Sequence, residues 1–280
     1  MKIGITQYSY HRTMADGAMD YEGFINKAAE LGFETVDIVG YWWKDEMAES
    51  AKCQDWCKAA GVHLAAYAIG DNLAVRDEAE HDEQCAQIRH GIEIASRMDA
   101  PMVRVFGGHL AEGMDDDEAF ELVVKGFKKV IGEAEKAKVV LALEDHGGMP
   151  GTSGEVLKVM EAVGSEYLRP LVDLGNFLGK GQRPEEAVKD LATTACMTHV
   201  KDFKLLPKGA DEGRPCKYGD YNLLGCTVGD GTIDLVDCFG TLADAGYEGS
   251  ITLEYEGSED EETGVKRSLE AIRGALAQVG

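Results

Sequence analysis

Four residues of types that bind metal ions each follow a short apolar run. Glu144 ends VVLALE, Asp173 ends LRPLVD, His199 ends CMTH and Glu254 ends SITLE. A carboxylate at the end of a buried strand is costly unless it is paired or coordinated. Three carboxylates and one imidazole make a hard, oxygen-rich set. It suits Mn²⁺, Mg²⁺ or Co²⁺, with Zn²⁺ as a further alternative, and its chemistry is polarisation of a substrate hydroxyl or carbonyl. Taken singly, Asp173 could instead cap a helix and His199 could be a hydrogen-bonded core histidine. Their spacing favours coordination. Glu144 and Asp173 are 29 residues apart and Asp173 and His199 are 26 apart, close to the roughly 30 residues of one strand-plus-helix unit in a parallel barrel. His199 and Glu254 are 55 apart, so that unit carries an insertion of about 25 residues.

The elements needed to position such a set are legible along the chain. Short runs rich in Val, Ile, Leu, Tyr and Phe predict strands at 2–8, 35–39, 63–69, 102–106, 139–144, 170–173, 197–200 and 250–254. Helical periodicity predicts helices at 21–31, 45–60, 82–97, 117–136, 154–163, 185–191, 235–245 and 261–277, with Asp115, Ser153 and Asp234 as N-caps and Gly32 as a C-cap. Strict alternation at this length favours a single-domain (β/α)₈ TIM barrel spanning 1–280. An open doubly wound sheet would not bring four successive strand ends together. Residues 203–230, rich in Gly, Pro and charge, form the predicted insertion after strand 7, on the face where the ligands point. Long loops there are commonly lids or binding loops.

Composition narrows the function. The 280 residues carry a formal charge of −23, which opposes a nucleic-acid partner. No apolar run approaches the roughly 20 residues that span a bilayer, and no leader pattern opens the chain, so a cytoplasmic protein with no membrane partner is expected. The seven irregularly spaced cysteines read as reduced, mostly buried thiols. A homo-oligomer remains open.

Several segments resemble the sugar phosphate isomerase/epimerase superfamily, the xylose-isomerase-like TIM barrel group. These are FINKAAELGFETVDI at 24–38, LEDHGG at 143–148, VDLGN at 172–176, THVKDF at 198–203, VGDGTID at 228–234 and ITLEYEG at 251–257. The resemblance implies one divalent cation, commonly Mn²⁺, on Glu144, Asp173, His199 and Glu254, with Glu144 and Glu254 also acting as base and acid. It implies a small-molecule carbohydrate substrate and a metal-dependent isomerase or epimerase. The alternative is a lyase or dehydratase of a keto-sugar, inosose or dehydroshikimate-like substrate on the same metal. Ketose 3-epimerases carry a His three residues after the metal Asp and an Arg six after the metal His; here these are Asn176 and Leu205. A DNA-repair nuclease of the same superfamily needs more His and Glu ligands and a basic face, and a non-catalytic sugar-binding protein has no use for a buried four-ligand set.

Around the ligands, Lys201 follows His199 by two and so points to the same side of a strand. It can hold a substrate oxygen, stabilise negative charge, or serve as a base if burial depresses its pKa; pairing with Asp202 or another carboxylate is the plain alternative. His146 and His109 belong at the carboxyl mouth, where His146 could move a proton near neutral pH. Tyr8, Trp42 with its neighbours Tyr41 and Trp43, and Asn176 complete the candidate substrate-binding residues. Gly107, Gly108, Gly147 and Gly148 allow tight turns beside them.

Overall fold

A computed structural model describes residues 1–146, 148–216 and 220–279. Strands β1 (Lys2–Thr6), β2 (Thr35–Val39), β3 (His63–Ala68), β4 (Met102–Val105), β5 (Val140–Glu144), β6 (Leu168–Asp173) and β7 (Met197–Val200) run parallel. An excursion then supplies β8 (Asp202–Pro207), β9 (Arg214–Pro215) and β10 (Tyr221–Cys226). The last barrel strand, β11 (Ser250–Leu253), closes the ring between β7 and β1. The expected single-domain (β/α)₈ barrel is the observed fold. After a 3₁₀ turn at Gln7–Tyr10 and the short α1 (His11–Ala15), eight helices follow. These are α2 (Tyr21–Leu31), α3 (Glu46–Ala60), α4 (Glu78–Met98), α5 (Asp116–Ala137), α6 (Ser153–Val163), α7 (Pro184–Leu191), α8 (Leu235–Asp244) and α9 (Glu261–Val279).

Strand alternation explains why the four ligands converge. On β5, Leu141 and Leu143 face the helices, while Ala142 joins a small cluster inside the barrel with Ala65, Ala66, Leu171 and Met197. Two residues beyond Ala142, Leu171 and Met197 lie Glu144, Asp173 and His199, which therefore also point inward. Thr252 and Glu254 repeat the relation at β11. The interior is thus built in layers. Thr35 and Ser250 close its lower end through a hydroxyl contact of 2.5 Å, and Thr252, one layer up, donates to Ser250 at 3.0 Å. A dry layer of Ala, Leu and Met sits above them, and the charged layer lies at the strand ends.

Helix ends follow local chemistry. Asp20, Asp115 and Asp234 cap their helices, and Gly32 ends α2 at φ +83°. The cap of α6 is Thr152, not Ser153. Thr152 and Glu155 form a reciprocal capping box, and Ser153 instead donates its hydroxyl to Asp190 at 2.6 Å. The first strand stops at Thr6, where the side chain accepts from the Tyr8 amide and turns the chain into the 3₁₀ segment.

The insertion is not an irregular loop. β8, β10 and β9 form a three-stranded antiparallel sheet in the order β8-β10-β9, with Asp202 opposite Cys226 and Pro207 opposite Tyr221. Its root is Asp202, whose carboxylate accepts backbone N–H groups from Phe203, Gly229, Gly231 and Thr232 at 2.9–3.0 Å. That contact accounts for the tight VGDGTID turn. Residues 217–219 of the expected insertion lie outside the described residues. All seven cysteines are free. Among the described residues no helix is long and apolar enough to cross a membrane.

Candidate metal centre

Glu144, Asp173, His199 and Glu254 are all buried, and each offers one ligand atom within 4.8 Å of the other three. Opposite ligands of a single ion at about 2.2 Å each span about 4.4 Å, so the cluster is within a few tenths of an ångström of a coordination shell. His199 Nδ1 is buried without a hydrogen-bond partner. It lies 3.8 Å from Glu254 Oε1, so the unpaired nitrogen and a carboxylate oxygen face one point. These residues fit a divalent cation and constitute a divalent-metal-binding site.

The other ring nitrogen of His199 is held by a residue that sequence reasoning missed. Asp37 on β2 reaches across the barrel and places Oδ2 3.0 Å from His199 Nε2. The register of β2 and β3 shifts between Val36 and Asp37, where β3 contributes one extra residue. A carboxylate behind a ligating histidine fixes ring orientation and tautomer. Burial alone lowers the pKa of His199, but the bond to Asp37 and the charges of Glu254 and Glu144 outweigh it and lift the imidazole to about 9. The visible signal for Asp37 is one charged residue inside the otherwise apolar TVDIV.

Each carboxylate is oriented by named donors. Asp173 Oδ1 accepts the amides of Gly175 and Asn176 at 2.8 Å and 3.1 Å, and the Asp173 amide donates to the buried Asp145 at 2.9 Å. Glu144 Oε1 accepts Asn176 Nδ2 at 3.0 Å. Asn176 thus steadies Glu144 directly.

Lys201 is buried with its Nζ 2.6 Å from Glu254 Oε2, 2.9 Å from Glu256 Oε1 and 3.0 Å from Asp173 Oδ2. It touches two of the four ligands from one side and leaves Glu254 Oε1 and His199 Nδ1 clear. Burial disfavours the ammonium, yet Asp173, Glu254, Glu256 and Glu144 together raise its pKa well above the ordinary value. The carboxylate neighbours favour the ammonium, opposite to the depressed, basic lysine that burial alone would give. Asp202 points the other way, into the root of the excursion.

Burial also changes the role open to His146. Its pKa falls to about 4, chiefly through desolvation, so the imidazole is neutral near pH 7 and serves as a hydrogen-bonding group rather than a proton carrier there. Its ring lies 4.3 Å from Phe106 and 5.4 Å from His109. A cleft with 480 Å³ of empty space, partly continuous with solvent, opens over Glu144 and Glu254. Tyr8, Tyr41 and Phe106 form its aromatic side, and Arg104, His146 and Glu256 complete it. A second cavity shares His146 and is lined by His109, Asn176 and residues of the excursion, Arg214 and Cys216 among them.

Trp42 is not part of this wall. Its backbone amide donates to the Tyr21 hydroxyl at 3.0 Å, its ring meets Tyr41 edge-on at 5.8 Å, and Tyr41 takes the lining position. Trp43 stacks on Tyr21 at 3.5 Å. Gly107 and Gly148 are required by close backbone approach. A Cβ on Gly107 would lie 1.9 Å from the Met149 carbonyl oxygen, and one on Gly148 1.8 Å from that of Gly108. Gly147 lies outside the described residues.

The comparisons with known proteins agree with this geometry. Residues 25–275 match the family model described as xylose isomerase-like TIM barrel. The chain is 23% identical to an inosose dehydratase of Geobacillus kaustophilus over 91% of this chain and 87% of that protein. It is 22% identical to an L-ribulose-5-phosphate 3-epimerase of Salmonella heidelberg over 90% of this chain and 89% of that protein. Among solved structures, the IOLI protein with a bound zinc atom superimposes with a TM-score of 0.80 at 15% identity, covering 100% of this chain and 99% of that one.

Proposed function

The chain belongs to the xylose isomerase-like TIM barrel family, and on that premise we propose that it is a divalent-metal-dependent isomerase or epimerase of a small sugar, keto-sugar or polyol derivative, with Mn²⁺ as the working ion. One observation carries this reading: four buried ligands converge beneath a cleft that two of them, Glu144 and Glu254, also line. The bound cation supplies polarisation of adjacent substrate oxygens and so acidifies the neighbouring C–H.

The protein groups do the rest. Glu144 takes the proton from the substrate carbon. Glu254, at the end of β11 and three strands around the barrel from β5, returns a proton from the other face, which gives epimerisation. Return by one carboxylate to the adjacent carbon gives aldose–ketose isomerisation. Lys201 stays charged and anchors Glu254 and Glu256. His146, His109, Tyr8 and Asn176 offer hydrogen bonds and an aromatic face to the sugar, and Tyr41 takes the place expected of Trp42.

The likeness to an inosose dehydratase along most of the chain favours a second reading, loss of water from the same activated carbon. Incubation of the Mn²⁺-loaded protein with a panel of keto-sugars and polyols in deuterium oxide separates the two by mass spectrometry. Deuterium incorporation without other mass change supports isomerisation or epimerisation, and a loss of 18 Da (about one water) supports the lyase. Neither change in any substrate, with the metal bound, overturns both.

A further inference from the structure

The cleft contains a second buried cation whose donors the metal set does not satisfy. Arg104 is the third residue of β4, in MVRV, and lies level with Ala142, so it projects into the barrel. It is only 6% exposed and lines the cleft. Its sole ionic contact among the described residues is Glu144, with Nε 3.4 Å from Oε2, and it makes no hydrogen bond there. Nε and Nη1 are both buried and unpartnered. The guanidinium carbon sits 4.0 Å from the centre of the Phe106 ring, which supports it from one side. A buried charge with idle donors is costly, and such a group is kept where something else completes it.

Lys201 cannot fill the same role, because its Nζ sits among three carboxylates and already hydrogen-bonds Glu254 and Glu256. The ligand of Arg104 is not a standing anion either. Glu144, Glu254 and Glu256 line the same cleft and repel one. A charge that arises by moving a proton onto Glu144 adds nothing to the total.

We propose that Arg104 is a catalytic residue whose free guanidinium N–H groups receive the negative charge that appears on a neutral keto-sugar's carbonyl oxygen when Glu144 takes the proton from the neighbouring carbon. The C–H bond breaks and its proton goes to a Glu144 oxygen. The electron pair enters a new C=C bond, and the carbonyl π pair moves onto oxygen. Glu144 becomes neutral, and the guanidinium that faced it is released to the new oxyanion within the same cleft. A donor fixed in place before charge develops stabilises the later state more than the earlier one. The inference rests on the proposed isomerase or epimerase reading.

The test uses glycolohydroxamic acid, a planar probe that is neutral in neutral solution and, like the substrate, places negative charge on the corresponding oxygen only as it gives up a proton on binding, with Mn²⁺-loaded wild type, R104M and R104K. Calorimetry measures probe affinity and electron paramagnetic resonance measures Mn²⁺ affinity. The wild type binds the probe, R104M binds it about 10- to 100-fold more weakly, and R104K falls between. Mn²⁺ affinity in R104M is unchanged or tighter, since a positive charge beside Glu144 is gone. Equal probe affinity in wild type and R104M overturns the inference alone. A wild type that binds Mn²⁺ but not the probe overturns the functional reading and the inference with it. Should R104M not fold, R104K decides: a loss of about tenfold supports the role, and wild-type affinity removes it.

Discussion

Mn²⁺ binding should tighten about 100-fold between pH 6 and pH 8, and the reason is His199. To become a ligand, Nδ1 must give up its proton, and in the metal-free protein Asp37, Glu254 and Glu144 hold the imidazole at about 9. With that value the unprotonated fraction is about one in ten at pH 8 and about one in a thousand at pH 6, so the apparent association constant rises about tenfold per pH unit and levels off above pH 9. The sign is that of proton release on binding. Asp173, which burial pushes up to about 7, adds up to about a further tenfold across the same range, beyond the 100-fold set by His199. Manganese titrations followed by electron paramagnetic resonance at fixed ionic strength, from pH 6.0 to 8.5, read the slope directly. A change of less than about threefold between pH 6 and 8 would refute the argument that a proton on His199 competes with the ion. Asp37→Asn provides a control. It keeps an acceptor for Nε2–H and removes the charge, so the slope flattens while affinity at high pH falls by about 10- to 100-fold.

Three further outcomes are expected. At about 100 times its dissociation constant, Mn²⁺ stabilises the fold by about 2.7 kcal/mol, seen as a raised thermal midpoint that chelator reverses. Asp71 is buried, and desolvation raises its pKa from 3.8 to about 7. The native state therefore holds a proton that the unfolded chain releases, and the cost of ionising Asp71 is absent below about pH 4, grows as pH rises and is complete above about pH 7. Asp71→Asn keeps an acceptor for the Phe106 amide, so in urea melts it matches wild type near pH 4 and exceeds it at pH 8 by up to about 4 kcal/mol. Gly4→Ala places a Cβ 2.2 Å from Thr35 Oγ1 and 2.5 Å from Ser250 Oγ at the closed lower end of the barrel, and costs about 1–3 kcal/mol in the same melts.

The four ligands were legible because they are isolated polar residues at the ends of apolar runs, a pattern that burial makes expensive. Asp37 and Arg104 obey the same rule but sit inside their strands, TVDIV and MVRV, where alternation hides them among β-branched neighbours. Their partners, His199 and Glu144, lie far away in the chain, so only the closed barrel reveals why they are there. Strand alternation puts Lys201 on the same side as His199, yet its protonation state is not readable from sequence, since it depends on four carboxylates brought from β5, β6 and the end of β11. The excursion looked loop-like because Gly, Pro and charged residues make up about half of it. The paired stretches KLLP and YNLL at its edges carried the strand signal. The cap of α6 was readable as T-x-x-E at 152–155, a stronger signature than a lone serine.

Lys201 and Asp202 are neighbours in the chain that face opposite directions, one into the ligand cluster and the other into the base of the antiparallel sheet. Gly175 packs against both Lys201 and Phe203, and any side chain there would collide with them. The antiparallel sheet and the ligand cluster therefore share one root, and a substitution that displaces Asp202 also displaces the segment bearing His199 and Lys201.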